Sequence, residues 1–72
     1  MNEGTSDRLK GMWNQFKGDV RSKWAKLTDD DMLYIEGQRD KLVGRIQERY
    51  GIAKEEAARQ VDEFERGLET TR

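Results

Sequence analysis

The sequence predicts a small all-α domain, and three observations support this prediction. Apolar residues recur at intervals of three or four along most of the chain, which is the spacing of one face of an α-helix. The 72 residues contain no proline, so the commonest helix breaker is absent. No stretch alternates β-branched and polar residues as a strand does. We therefore expect four helices in one domain.

The first predicted helix carries one apolar stripe over about five turns. Ser6 or Asp7 is suited to cap its N-terminus, because a short polar side chain can accept a hydrogen bond from an unpaired backbone N–H group. The residues of the stripe are spaced 4, 3, 4, 4 and 3, and they are Leu9, Trp13, Phe16, Val20, Trp24 and Leu27.

The second predicted helix is short and begins after Thr28, its candidate N-cap. The aspartates at residues 29–31 place negative charge on its first turn. Asp31 stands at the third helical position, where the acid of a capping box lies. The helix ends at Gly37 and carries the apolar residues Met32, Leu33 and Ile35.

Two further helices complete the predicted fold. The third runs from about Gln38 to Tyr50 and stops at Gly51. The fourth runs from about Lys54 to Leu68, and its apolar stripe consists of Ala57, Val61, Phe64 and Leu68.

The predicted domain covers residues 6–68. Residues 1–5 and 69–72 have nothing to pack against, so we expect a flexible N-terminus and a frayed C-terminus. Only 33% of the residues are hydrophobic, so the core is thin. It is expected to contain Leu9, Trp13, Phe16, Val20, Trp24, Leu27, Ile35, Leu42, Ile46, Tyr50, Val61 and Phe64.

The glycines repeat in two sets spaced by seven, and a shift of 26 residues superposes Gly11 on Gly37 and Gly18 on Gly44. An internal duplication explains this match and predicts two αα-hairpins packed across each other, although helical period alone also produces part of it. Gly18 and Gly44 fall opposite the apolar stripes of their helices. They either weaken a solvent-facing surface or allow another backbone, chain or membrane surface to approach.

The composition argues against several classes of function. The chain has no cysteine and no histidine, which removes the usual zinc ligands, thiol nucleophiles and imidazole bases. No apolar run reaches the length of a transmembrane helix, and the N-terminus lacks a signal-peptide pattern. We therefore expect a cytoplasmic protein that is not an enzyme and that has no cofactor, metal or small-molecule substrate.

Charge is distributed unevenly along the chain. Residues 1–27 carry a net charge of +3 and residues 28–37 a net charge of −4, whereas the whole chain carries −1. Oppositely charged segments suit helices folded against one another, self-association or an external ligand. We expect a monomer, and the sequence does not identify a partner.

Basic side chains on two helices form a candidate surface for nucleic acid or a partner protein. Lys10, Lys17 and Arg21 cluster on one flank of the first helix, and Arg45 and Arg49 lie on the third. In a chain of which 40% of the residues are charged, such a set is usually a solvated face. Nucleic-acid binding is therefore not the favoured interpretation.

Two other sets of residues invite a functional interpretation. Trp13, Phe16, Trp24 and Tyr50 could stack nucleic-acid bases, but they lie on apolar stripes, which favours the core. The first helix could lie on a membrane surface only if the fold opened. The aspartates at residues 29–31 lack the spacing of a calcium loop, so helix capping is the preferred role.

Residues 12–51, "MWNQFKGDVRSKWAKLTDDDMLYIEGQRDKLVGRIQERYG", closely resemble the CsbD-like family of small bacterial stress proteins. Ala25 departs from the glycine that many members have at that position. The motifs that carry the resemblance are Trp13-x-x-Phe16-Lys17-Gly18, Trp24-x-Lys26-Leu27-Thr28-Asp29-Asp30-Asp31, Glu36-Gly37 and Leu42-x-Gly44-x-Ile46-Gln47-x-x-Tyr50-Gly51.

The resemblance implies a cytoplasmic bacterial protein that is abundant under general stress, with a helical fold similar to SAM-type domains. It supplies no catalytic residue. The mean hydropathy of −1.12 and the seven glycines resemble the composition of hydrophilins, which protect other macromolecules when water is scarce. A hydrophilin-like protectant is our leading functional hypothesis. The alternative is a helical module that binds nucleic acid or a partner through the basic residues of the first and third helices.

Overall fold

In a computed structural model, residues 9–70 are described, with side chains through Gly67. Four helices follow one another: α1 (Trp13–Lys23), α2 (Asp29–Ile35), α3 (Arg39–Tyr50) and α4 (Lys54–Thr70). Residues 9–11 form a further helical stretch, and no strand occurs among residues 9–70. The all-α class is confirmed. The predicted caps Ser6 and Asp7, residues 1–5 and 71–72, and the side chain of Leu68 lie outside the described residues.

The prediction of one continuous first helix reaching Leu27 is wrong, because the helix is interrupted at Met12 and ends before Trp24. A turn at Met12 separates residues 9–11 from α1, whose hydrogen bonds resume with Phe16 N–H donating to the Met12 carbonyl at 3.0 Å. The helix ends at Lys23, and a tight turn follows in which Leu27 N–H donates to the Trp24 carbonyl at 3.1 Å. Trp24 and Leu27 are nevertheless buried, because this turn directs them into the same core as the helix.

The start of α2 is the predicted capping box. Asp31 N–H donates to Thr28 Oγ1 at 3.1 Å, and Thr28 N–H donates to Asp31 Oδ2 at 3.0 Å. The two bonds satisfy backbone donors that the first turn of a helix leaves unpaired. The capping box therefore fixes where the chain leaves the turn after α1.

The end of α2 is a left-handed turn of two residues. Glu36 has φ of 46° and Gly37 has φ of 82°. A Cβ atom at residue 37 would lie 2.8 Å from the Cα of Lys10 and 3.1 Å from the carbonyl oxygen of Leu9. Gly37 therefore serves two purposes: it adopts a conformation that L-residues avoid, and it lets residues 9–11 approach the α2–α3 connection closely.

Helices α3 and α4 match their predicted positions. Gly51 ends α3 in the left-handed conformation with φ of 64°, and its N–H donates to the Gln47 carbonyl at 2.8 Å. Helix α4 begins at Lys54 as predicted and continues to Thr70, two residues beyond the predicted end.

Helices α3 and α4 pack together most extensively, with α2 packed on α3, and α1 and the turn after it also contribute residues to the core. The arrangement into two crossed hairpins and the internal duplication stay predictions. The buried apolar residues are Leu9, Phe16, Val20, Trp24, Leu27, Met32, Ile35, Leu42, Val43, Ile46, Ala57 and Val61; Trp13, Tyr50, Ile52, Ala58 and Phe64 pack against them in partly buried positions.

Two glycine-to-alanine substitutions separate the roles of the glycines. Gly37→Ala should lower the free energy of unfolding by about 2 kcal/mol, because the new methyl group meets backbone and the positive φ disfavours alanine.

Gly44→Ala should raise the free energy of unfolding by about 0.5–1 kcal/mol, because no atom lies within 4 Å of the added Cβ and the unfolded chain loses conformational freedom. Urea unfolding measures both, and a Gly37→Ala protein as stable as the wild type would contradict the close approach.

Candidate functional site

The most highly connected polar group in the described structure is the Asp31 carboxylate. Besides its bond to Thr28, it accepts two hydrogen bonds from Arg49, from Nε to Oδ2 at 2.7 Å and from Nη2 to Oδ1 at 2.9 Å. Arg45 Nε lies 3.6 Å from Asp31 Oδ1. Only 3% of Asp31 is exposed. One carboxylate therefore starts α2 and also binds α2 to two arginines of α3.

This arrangement shifts the ionisation of Asp31. The hydrogen bonds from Arg49 are the largest cause, and those from Thr28 add to them, so they hold the pKa of the Asp31 carboxyl well below its usual range. Burial acts in the opposite direction and is outweighed. The same hydrogen bonds raise the pKa of Arg49. Asp31 is therefore a fixed anion at neutral pH.

A shallow cleft of about 290 Å³ lies against α3 and is lined in part by Arg45, which also contacts the Asp31 carboxylate. Tyr34 borders the cleft, and two cations lie over the tyrosine ring: the Arg45 guanidinium carbon 4.2 Å and the Lys41 ammonium 4.9 Å from the ring centre. Gly44 lines the cleft, and its missing side chain leaves the space open. Asp40 and Glu48 complete the lining, so charges of both signs surround the cleft.

A second shallow cleft, of about 420 Å³, lies between α1 and α2. Its apolar part is formed by Met32 and Leu33, and Leu33 is 69% exposed. Its charged part contains Lys17, Arg21 and Asp29, and Gly18 completes the lining. Arg21 and Asp29 form an ion pair within the cleft.

The five basic candidates are not brought together on one surface. Lys10, Lys17 and Arg21 are exposed, and the last two line the α1–α2 cleft. Arg45 and Arg49 instead pair with Asp31, which lies about 200° around α2 from Asp29 because successive helical residues are rotated by 100°. The two sets therefore face different sides of the short helix.

The aromatic candidates lie in or against the core. Trp24 is 2% exposed, its indole N–H donates to Gln60 Oε1 at 2.9 Å, and its ring meets Phe64 edge to face with centroids 5.2 Å apart. Phe16 is buried, and Trp13 and Tyr50 are partly buried. The Tyr50 hydroxyl accepts a hydrogen bond from Lys26 N–H at 3.2 Å, which ties the turn after α1 to the end of α3.

Arg39 links α3 to α4 and was not singled out by the sequence. Its guanidinium pairs with Asp62, donates to the Ala58 carbonyl at 3.4 Å and lies 3.8 Å from the buried Glu65 carboxylate. Gln60 as the partner of Trp24 and Asp31 as the partner of Arg49 were likewise missed. These residues are 18 to 36 positions apart, and no local pattern in the sequence connects them.

Among the side chains of residues 9–67, no three acidic groups are placed so that they could hold a metal ion. In the same part of the chain, no helix has the length and apolar character required to cross a membrane.

The fold and its polar contacts define a small helical protein in which ion pairs join α1 to α2, α2 to α3 and α3 to α4. The CsbD-like family model matches residues 7–59, and the chain belongs to the CsbD-like family. It is 58% identical to the UPF0337 protein YjbJ of Escherichia coli K12 over 59 residues, which cover 82% of this chain and 86% of that protein.

Other relatives show similar agreement. A UPF0337 protein of Rhodopseudomonas palustris is 55% identical over 58 residues, covering 81% of this chain and 88% of the relative. The YjbJ protein of Salmonella typhimurium is 56% identical over 59 residues, covering 82% and 84%. No solved structure matches the chain significantly.

Replacement of Asp31 should change both the stability of the protein and its dependence on pH. Asp31→Asn should lower the free energy of unfolding at pH 7 by about 2 kcal/mol, because it removes a charged acceptor of two arginine hydrogen bonds. The pKa of Asp31 is lowered by folding, so its contribution is complete above the unfolded value of about 3.9 and is lost as the pH falls further. The wild type should therefore lose more stability between pH 5 and pH 2 than the variant.

Asp30→Asn is the matched control for this measurement. Asp30 lies on the same first turn of α2 and is exposed, so its replacement should change stability and pH dependence far less. Equal pH profiles for the wild type and Asp31→Asn in urea unfolding would contradict the role assigned to Asp31.

Proposed function

We propose that this protein is a bacterial general stress-response protein that acts without catalysis, as an abundant hydrophilic protectant of other macromolecules in the cytoplasm. The observation that carries the proposal is how its side chains are divided between core and surface. The apolar stripes of the helices meet in the core, and the large hydrophobic residues exposed among residues 9–67 are Met12, Leu33 and Tyr34. Charged residues make up 40% of the chain, and among residues 9–67 all of them except Asp31 and Glu65 are exposed or partly exposed.

Such a surface suits a protein that remains soluble at high concentration. Charges of both signs occur along α3 and α4, and several are engaged in ion pairs, as Arg59 is with Glu56 and Glu63. Interspersed charges without large apolar patches limit aggregation. A concentrated protein of this kind, placed between partly unfolded molecules, reduces their encounters as water is withdrawn.

The ionisable groups also favour a role without catalysis. A general acid at neutral pH needs a carboxyl group with a raised pKa. Here the pKa values of Asp31 and Glu56 are lowered, chiefly by hydrogen bonds from Arg49 and Arg59 respectively. Both groups are therefore held as anions that serve the fold.

The alternative function, binding of nucleic acid or a partner through the basic residues of α1 and α3, has weaker support. Arg45 and Arg49 are occupied by Asp31, and Arg45 also donates to Glu48 at 2.6 Å. The exposed cations Lys10 and Lys17, with Arg21, are what remains of that surface.

A freezing assay tests the protectant function. A freeze-labile enzyme such as lactate dehydrogenase should retain clearly more activity after freeze–thaw cycles with this protein, at about one molecule per enzyme subunit, than with an equal mass of albumin. Protection no better than that by albumin would contradict the proposal.

The variant Val61→Asp provides the matched control for this assay. Val61 is fully buried, so a carboxylate there should unfold the domain while leaving the composition almost unchanged. If protection depends on the folded surface, this variant should protect the enzyme less than the wild type does. Equal protection would show that the amino-acid composition alone is responsible.

A further inference from the structure

The cleft between α1 and α2 combines an apolar projection with an open notch. Leu33 projects from α2 with 69% of its surface exposed, although Met32 beside it is buried. On α1, Gly18 is exposed, and a Cβ atom placed on it would have no neighbour within 4 Å. The surface therefore contains an exposed leucine side chain, Leu33, and an open space at Gly18 that an apolar side chain could occupy.

The charges around this cleft are arranged in the same complementary way. Lys17 and Arg21 lie one turn apart on α1, and Asp29 lies on α2 with 91% of its side chain exposed. Arg21 pairs with Asp29, whereas no carboxylate among residues 9–67 forms an ion pair with Lys17. The cleft thus presents an available cation and an aspartate whose remaining lone pairs face solvent.

We propose that this surface, formed by Lys17, Gly18 and Arg21 of α1 and Asp29 and Leu33 of α2, is where two copies of the chain associate about a twofold axis. About a twofold axis, every contact between one residue and a second residue of the other copy occurs twice, once in each direction. Leu33 of each copy then covers Gly18 of the other, and Lys17 of each copy approaches Asp29 of the other. The occupant is a second copy because the patch contains both members of each complementary pair.

The association is weak and depends on concentration. Stable interfaces involve about 20–30 residues on each side, far more than line this cleft. The net charge of −1 from 14 basic and 15 acidic residues leaves little overall repulsion between copies. We expect a dissociation constant on the order of 1 mM, so that the protein is a monomer when dilute and a dimer when concentrated. This proposal goes beyond the protectant function and does not depend on it.

Nuclear magnetic resonance at increasing concentration tests the association. Backbone amide spectra of the full chain from about 0.05 to 3 mM should show shifts that all follow one monomer–dimer curve and centre on residues 17–21 and 29–33. Absence of concentration dependence, or shifts centred on the Tyr34 cleft, would overturn the proposal.

Charge reversal and mixing of variants identify the contact. Lys17→Glu alone and Asp29→Lys alone should each weaken association at least tenfold, because like charges then meet twice across the axis. An equimolar mixture should recover the wild-type concentration dependence, because the pair of one copy of each variant restores opposite charges at both contacts. Failure of the mixture to associate more strongly than either variant would overturn the twofold arrangement.

Two further variants separate the apolar contact from a general effect of charge. Leu33→Asn should weaken association about tenfold without unfolding the protein, because Leu33 is mostly exposed. Lys54→Glu changes the net charge as much as Lys17→Glu but lies at the start of α4, so it should leave association unchanged. The amide spectrum of each variant at low concentration verifies its fold, and equal weakening by Lys54→Glu would overturn the assigned contact.

Discussion

The pairing of Asp31 with Arg49 is the interaction on which the attachment of α2 to α3 depends. The carboxylate completes the capping box that begins α2, and the same two oxygens accept both hydrogen bonds from α3. Because α2 has only seven residues, its own hydrogen bonds cannot stabilise it in isolation. Its position is set by the capping box at one end, the left-handed turn at the other and the buried residues between them.

The remainder of the fold compensates for a thin core with specific polar contacts to buried or partly buried groups. Trp24 fills the space after α1, and Gln60 of α4 accepts a hydrogen bond from its indole N–H. The Tyr50 hydroxyl binds the backbone of the same turn. Arg39 connects α3 to α4 through Asp62 and the Ala58 carbonyl. Each contact joins elements that are distant in sequence, so together they select one arrangement of the helices.

The sequence was sufficient where local chemistry decides the structure. The capping box at Thr28 and Asp31 and the stop at Gly51 depend on a few adjacent residues, and both were predicted correctly. The end of α1 was not, because Trp24 and Leu27 continue the helical spacing although they reach the core from a turn. Spacing records which residues are buried, and a turn can bury them at the same interval as a helix.

For the candidate residues, the sequence indicated the chemical character of each side chain but not the residues with which it pairs in the fold. It identified Arg45 and Arg49 as available cations, yet both are committed to a carboxylate 14 and 18 positions earlier in the chain. It identified Gly37 as a helix stop but not as the site of a close backbone approach, and it did not locate the clefts that Gly18 and Gly44 line. Leu33 was named among the apolar residues of the second helix, and the sequence did not indicate that it is 69% exposed. Such outcomes depend on tertiary packing, which spacing does not encode.

A double-mutant cycle between Asp31 and Arg49 tests the central claim most directly. The free energy of unfolding in urea at pH 7 is measured for the wild type, Asp31→Asn, Arg49→Gln and the double variant. If the pair joins α2 to α3, the double variant should be clearly more stable than the sum of the two single effects predicts. Simple additivity of the two effects would show that Asp31 only caps its own helix and would contradict this account.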